Sequence, residues 1–250
     1  MRVRCVLFVL LVTVWSNLSA QSTPPKIYTY LCEWALSAEE AKAFAASWQG
    51  TYVPILRRLH AEGVIVGWGS FAKAIHEPAG TTHGVWWTGP SLASVEAVRL
   101  QLPGHAINGS SEMHRDHLLL SLFRKSRPLS GEGGYLSIAV NQVAPGKERD
   151  WHDAWRTLKK SMFDELVDSG AIVFYDVAVE HIHTEDPGFR YEFVLTESAV
   201  AEDKGLAAGE AVEARLASEQ RSAALRTYRG AVIPSAHRDV FSYVLTYQVK

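Results

Sequence analysis

The chain has 250 residues, 47% of them hydrophobic, with 25 basic and 27 acidic side chains and a formal charge of −2. That is apolar material for one large core or for two of roughly 100 residues each. A near-neutral balance lacks the basic face that nucleic-acid binders carry, so phosphate polyanions are not expected partners.

At the N-terminus, Arg2 and Arg4 precede a largely apolar run from Cys5 to Trp15, and Leu18-Ser19-Ala20 follows. These are the charged, apolar and small-residue regions of a secretory signal over residues 1–20. The apolar run is about eleven residues, short of the roughly 20 that cross a bilayer, which sets the signal above the alternative of an uncleaved anchor. We therefore expect an exported chain, periplasmic or extracellular, with no membrane span after signal removal. Only Cys32 then remains, which excludes an internal disulfide. Within an apolar strand pattern Cys32 reads as a small buried thiol.

The first predicted strand runs from Ile27 to Trp34. Ser37 and Glu40 form a capping-box signature for the helix that follows, and Phe44, Trp48, Tyr52, Ile55 and Leu59 make one buried stripe. Pro54 lacks an N–H and crowds the carbonyl of Gly50, which predicts a kink there. Gly63 suits the position just past the helix end. Strands are predicted over Val64 to Ala72 and Gly84 to Thr88, joined through Glu77-Pro78-Ala79-Gly80. A helix over Ser91 to Leu102 and a strand over Leu118 to Phe123 complete a β-α-β-β-α-β order, the ferredoxin-like arrangement.

The same unit then recurs. At an offset of 107 residues Tyr28 meets Tyr135, Trp48 meets Trp155, Leu59 meets Leu166, Gly63 meets Gly170, and Ile75-His76 meet Ile182-His183. A second echo sets His114-Arg115-Asp116 against His237-Arg238-Asp239, each before an apolar run. The offset grows to 123 between them, which places an insertion in the Ala/Glu-rich helical region from Ser198 to Arg229. The expected organisation is a signal over 1–20, one unit over 21–123, a linker over 124–134 with Pro, Ser and three glycines, and a second unit over 135–250.

Two tandem ferredoxin-like units, each with a long first helix after a short strand, and a Val143-Ala144-Pro145-Gly146-Lys147 entry followed by Trp151 and Trp155, resemble the dimeric α/β-barrel superfamily. Its members include antibiotic-biosynthesis-type monooxygenases, haem-degrading enzymes, chlorite-dismutase-like haem proteins and muconolactone-isomerase-like enzymes. The resemblance covers nearly all of the chain after the signal and implies an α+β fold whose two sheets face each other as an intrachain pseudo-dimer. It implies no particular chemistry, since one fold hosts many activities.

Repetition separates shared structural residues from those that break symmetry. The His-Arg-Asp triplets are shared, and pairing of Arg with Asp would fix the entry to each fourth strand. In the second unit Asn141, Tyr175, Asp176, His181 and Arg190 replace Trp34, Trp68, Gly69, Ala74 and His83, which makes it the more polar one. His152 replaces Ala45 and offers an acid, a base or a haem ligand, or is simply solvated. His181 and His183 share a face if the strand runs on through them, but no third ligand is identifiable and no metal is expected. The candidate ligand-binding residues are thus His152, Tyr175, His181, His183 and Arg190. Of Trp86 and Trp87 only one can face a given side of its strand.

These observations leave three readings: a module that binds a small apolar or aromatic molecule, an oxygenase or haem-dependent enzyme using the second unit's polar residues, and a non-catalytic scaffold that assembles further. The binder needs an enclosed cavity, the enzyme a cavity with convergent polar groups, and the scaffold an exposed apolar patch.

Overall fold

A computed structural model describes residues 26–75, 80–102, 113–182, 187–215 and 218–250. The expected signal segment, His76 and His183 lie outside the described residues. The first half runs β1 (Tyr28–Trp34), α1 (Ala38–Ser47), α2 (Val53–Ala61), β2 (Gly67–Lys73), β3 (His83–Gly89), α3 (Leu92–Gln101) and β4 (His114–Ser126). After β5 (Leu129–Glu132) come β6 (Tyr135–Gln142), α4 (Glu148–Trp155), α5 (Ser161–Asp168), β7 (Phe174–Glu180), β8 (Phe189–Thr196), α6 (Ala199–Glu213), α7 (Ser218–Ala231) and β9 (Arg238–Val249).

Local signals built the helices as expected. Ser37 Oγ accepts from the Glu40 N–H and the Glu40 carboxylate accepts from the Ser37 N–H, closing the capping box. Gly63 and Gly170 follow α2 and α5 with φ near +78° and +77°, a conformation that costs glycine little. The kink expected at Pro54 takes the form of a π-helical turn over Trp48–Tyr52 that joins α1 to α2. A second π turn, Arg156–Lys160, joins α4 to α5 with no proline present. The turn therefore belongs to the unit rather than to Pro54 alone.

The strands are antiparallel and follow the order β2-β3-β1-β4-β7-β8-β6-β9, and β9 pairs back onto β2. This closes an eight-stranded barrel, which leaves no long open edge. The segment expected as a linker is built into the sheet. Its first residues end β4, and β5 pairs Leu129–Glu132 against Val249–Thr246 of β9, beside the β6–β9 pairing.

Alternation along each strand separates two faces. One fills the barrel with Leu31, Phe71, Trp86, Leu119, Phe174, Tyr191, Phe193 and Tyr247, among others. The other faces the helices: Trp34, Trp68 and Trp87 pack with Trp48 of the first π turn, and Tyr175 and Val177 pack with Trp151 and Trp155 of α4 and Leu166 of α5. Trp86 and Trp87 thus diverge as expected, with Trp87 Nε1 donating to the Val95 carbonyl.

Side chains fill the described barrel interior. Two voids described there hold about 10 and 20 Å³, room for a water at most. Among the described residues, two ion pairs and a histidine–carboxylate contact sit among the apolar side chains. Lys73 Nζ lies 3.0 Å from Glu33 Oε1, His117 Nδ1 2.9 Å from Glu180 Oε1, and Arg124 Nη1 2.7 Å from Asp176 Oδ2. Tyr191 also donates to Glu180, and Ser121 to Asp176.

Candidate functional site

With the barrel filled, space for a ligand lies outside it, between helix and sheet in the second half. A partly open cavity of about 350 Å³ is bounded by α5, α6 and the outer faces of β6 and β8. Met162, Phe163, Leu166, Ile172, Val194 and Leu206 give it apolar walls, while Ser137, Thr196, Glu202 and Glu210 bring polar groups to its lining. Thr196 Oγ1 donates to Glu202 Oε2 at 2.8 Å, which ties α6 to β8 and orients that carboxylate.

The cavity exists because α6 carries glycine at two lining positions one turn apart, Gly205 and Gly209. A Cβ at Gly205 would touch Ile172 at 3.6 Å and one at Gly209 would meet Met162 Sδ at 3.4 Å. Larger side chains at either position would occupy the cavity. Glycine inside a helix costs about 1 kcal/mol relative to alanine, so the Gly-x-x-x-Gly spacing within an Ala/Glu-rich helix was the sequence signal that could have located this wall.

A polar row runs beside the cavity on the same sheet face. Trp155 Nε1 donates to Glu192 Oε2 at 2.6 Å, and Lys159 Nζ lies 2.9 Å from Glu192 Oε1. Tyr175 is buried, donates to Asp164 Oδ1 at 2.6 Å and stacks on Phe163. Burial, then Asp164, raises the Tyr175 phenol above its ordinary range. Burial works against the Asp164 carboxylate, yet donation from Lys160 and Tyr175 holds it below the usual range.

Arg190 is buried with its guanidinium over the Trp151 ring, 5.8 Å from the centroid, and its Nε has no hydrogen bond. His152 is half-buried, edge-on to Phe123 and Trp151, with its Nε2 shielded and unpaired. Burial, then Arg190 and Arg156, depresses the His152 pKa. The structure thus brings His152 and Arg190 together and places Tyr175 across Trp155 from them, 6.1 Å between the two rings. His181 is elsewhere. β7 ends at Glu180, so the strand does not run on, and the exposed His181 ring packs edge-on against Tyr28 at 5.2 Å. Its pairing with His183 falls partly outside the described residues.

A depressed histidine pKa carries a stability consequence. The folded state disfavours the charged ring, so the contribution of His152 is full above its unfolded pKa and is lost as the pH falls from there through the lower folded one. Thermal melts of His152→Gln are expected to lose less stability between pH 7 and pH 5 than the parent chain. Some slope will remain, because burial and Lys250 depress His60 in the same direction. Equal slopes in both proteins would contradict the assignment.

The superfamily resemblance raised haem as a cofactor, and the described residues that line this cavity do not fit it. The cavity walls offer no imidazole, thiolate or phenolate, and Met162 supplies the lone thioether. His152 does not line that cavity and is hemmed in by Phe123, Trp151 and Arg190.

The first half holds a second group of polar residues. Cys32, His114 and Asp116 converge on the helix-facing side of β1 and β4. Burial, then the nearby Asp116, pushes the Cys32 thiol up. His114 Nε2 lies 3.2 Å from Asp116 and His237 Nε2 3.1 Å from Asp239, while Arg115 and Arg238 turn to a void at the barrel end with Glu33 and Lys73.

No family model and no curated relative matches the sequence. Solved structures do match. A protein of Fusobacterium nucleatum subsp. nucleatum provisionally assigned as a monooxygenase aligns with a TM-score of 0.64 at 8% identity, covering 90% of this chain and 94% of its own. One of Lactobacillus acidophilus, provisionally assigned likewise, aligns at 0.57 and 9% identity, covering 88% and 94%. An anthrone oxidase-like protein aligns at 0.51 and 10% identity, covering 90% and 93%. At such identity the likeness is one of fold, and together with the closed antiparallel barrel it gives this chain the dimeric α/β-barrel fold.

Proposed function

We propose that this chain binds a small, mainly apolar, aromatic-sized molecule in the cavity between α5, α6 and the outer faces of β6 and β8. The observation that carries this reading is the cavity itself. Its volume of about 350 Å³ falls within the roughly 300–1,000 Å³ of small-molecule sites, and an apolar wall is joined there by a few polar groups, as such sites require. The arrangement of the two units as an intrachain pseudo-dimer is part of the reading. It is supported by the repeated strand order, β2-β3-β1-β4 in one half and β7-β8-β6-β9 in the other. Export is supported by the charged and apolar N-terminal pattern of residues 1–20.

Oxygenase chemistry is the second reading, favoured by the Glu202 carboxylate, oriented by Thr196 beside the cavity's apolar wall. The names of the aligned structures point the same way. In a cofactor-free version of this chemistry the substrate itself reduces dioxygen. Glu202 would take the proton of an acidic C–H or phenolic O–H, and a ring methylene plus O₂ would yield a ring carbonyl plus water.

Gly209→Leu tests both readings at once. It fills the cavity while replacing a helix-interior glycine with a good helix former, so the fold is expected to survive. Fluorescence titration with 1,8-dihydroxyanthrone should show binding to the parent chain and at least a tenfold loss in the variant. Unchanged binding would place the site elsewhere. An oxygen electrode with the same probe decides the chemistry: uptake that Glu202→Gln abolishes supports the oxygenase, and binding without uptake leaves a binding module.

A further inference from the structure

We propose that Cys32, His114 and Asp116 form a binding site for a divalent transition-metal ion of the zinc type, separate from the second-half cavity and independent of its ligand. Cys32 Sγ stands 3.1 Å from His114 Nε2, and the same nitrogen lies 3.2 Å from Asp116 Oδ1. All three donor atoms fall within 4.8 Å of one another. Zinc bonds of about 2.0–2.3 Å to nitrogen, oxygen and sulfur set tetrahedral ligands roughly 3.2–3.6 Å apart. The trio would need only a small opening to accept the ion.

The backbone explains why these side chains meet. Cys32 on β1 pairs directly with Asp116 on β4, and His114 is two residues further along β4, so all three point to one face of a two-stranded ladder. A site on paired strands is held more rigidly than one on loops. Cys32 is 1% exposed and anchors the site from below. The half-exposed His114 and Asp116 leave a path for the ion and a fourth position for water or a ligand. Asp116 Oδ1 is shielded from solvent beside the Cys32 thiol and the His114 ring, a position that a cation would fill.

The second half supplies an internal control. His237 and Asp239 repeat the ring–carboxylate pair at 3.1 Å, but the residue at the cysteine's position is Ala139, and the His237 Nδ1 instead lies 2.9 Å from Asn141 Oδ1. A His–Asp pair alone is thus part of the fold in both halves, and the third, soft ligand occurs in one. Thiolate with imidazole and carboxylate selects zinc or cobalt over calcium or magnesium, which prefer oxygen alone.

The test is titration of the purified chain with Zn²⁺ by calorimetry and with Co²⁺ by absorption. We expect one ion per chain and a thiolate-to-cobalt charge-transfer band. Cys32→Ser and His114→Gln should abolish the band and weaken zinc binding by more than the roughly 10–100-fold that losing a ligand's supporting partner costs. His237→Gln should leave both unchanged. Because Cys32 is buried, Asp116→Asn at the half-exposed position serves as the variant least exposed to misfolding, and melting curves accompany each protein. Absence of stoichiometric binding, binding indifferent to Cys32 and His114, or equal loss in His237→Gln would each overturn the site.

Discussion

Arg124→Met is expected to destabilise the chain by about 3–5 kcal/mol, the usual result of leaving one half of a buried ion pair behind. Arg124 Nη1 and Ser121 Oγ both donate to Asp176 Oδ2, and Asp176 Oδ1 has no partner. Burial holds the Asp176 carboxyl above its ordinary range even with Arg124 beside it. Removing the guanidinium pushes it further in that direction. A carboxyl whose folded pKa exceeds its unfolded one contributes fully below the unfolded value, and that contribution is lost as the pH rises through the folded one. The deficit of Arg124→Met should therefore be larger at pH 7 than at pH 5. Replacing both partners, Arg124→Met with Asp176→Leu, removes the stranded charge and should recover most of the loss. Urea unfolding at the two pH values measures all of this. A double variant as unstable as the single one would show that the pair is not the source.

Gly69→Ala is expected to cost about 3 kcal/mol through overpacking, at the upper end of such changes. A Cβ at Gly69 would lie 2.1 Å from Cη2 of the Trp86 indole. The ring has nowhere to retreat: Phe71 lies 6.1 Å and Phe174 6.5 Å away between centroids, and the adjoining void holds about 10 Å³. Trp86→Leu alone leaves a cavity and should destabilise as well. Combined with Gly69→Ala it should be less harmful than the sum, because the methyl enters the vacated volume. Strict additivity in thermal or urea unfolding would argue against the contact.

Filling the barrel and placing free volume outside it changes where chemistry is to be sought. Polar residues of the second half were legible in the sequence as departures from the repeat, and three of them, His152, Tyr175 and Arg190, do lie on the helix-facing side of that half. Asp176, noted in the same comparison, faces the opposite way and pairs with Arg124 inside the barrel. A single step in strand phase separates Tyr175 from Asp176, and comparison between repeats carries no information about which face a substitution occupies. Glu202, Gly205 and Gly209 lie in the region where the repeat is least regular, with α6 and α7 in the second half where the first half has α3 alone.

What the sequence determined by itself is the main helices and strands of each unit and their order. Helix stripes, the Ser37–Glu40 box, the glycines at 63 and 170 and the 107-residue offset arise from interactions between residues a few positions apart, and they survive reading along the chain. Only the tertiary structure decided which strands meet and in what register. The β9–β2 pairing closes the barrel, the 124–134 segment joins the sheet, and Cys32 meets a histidine 82 residues away. Alternation along a strand says that two residues share a face but not which distant strand lies beside it. That choice belongs to the packing of side chains across the whole barrel.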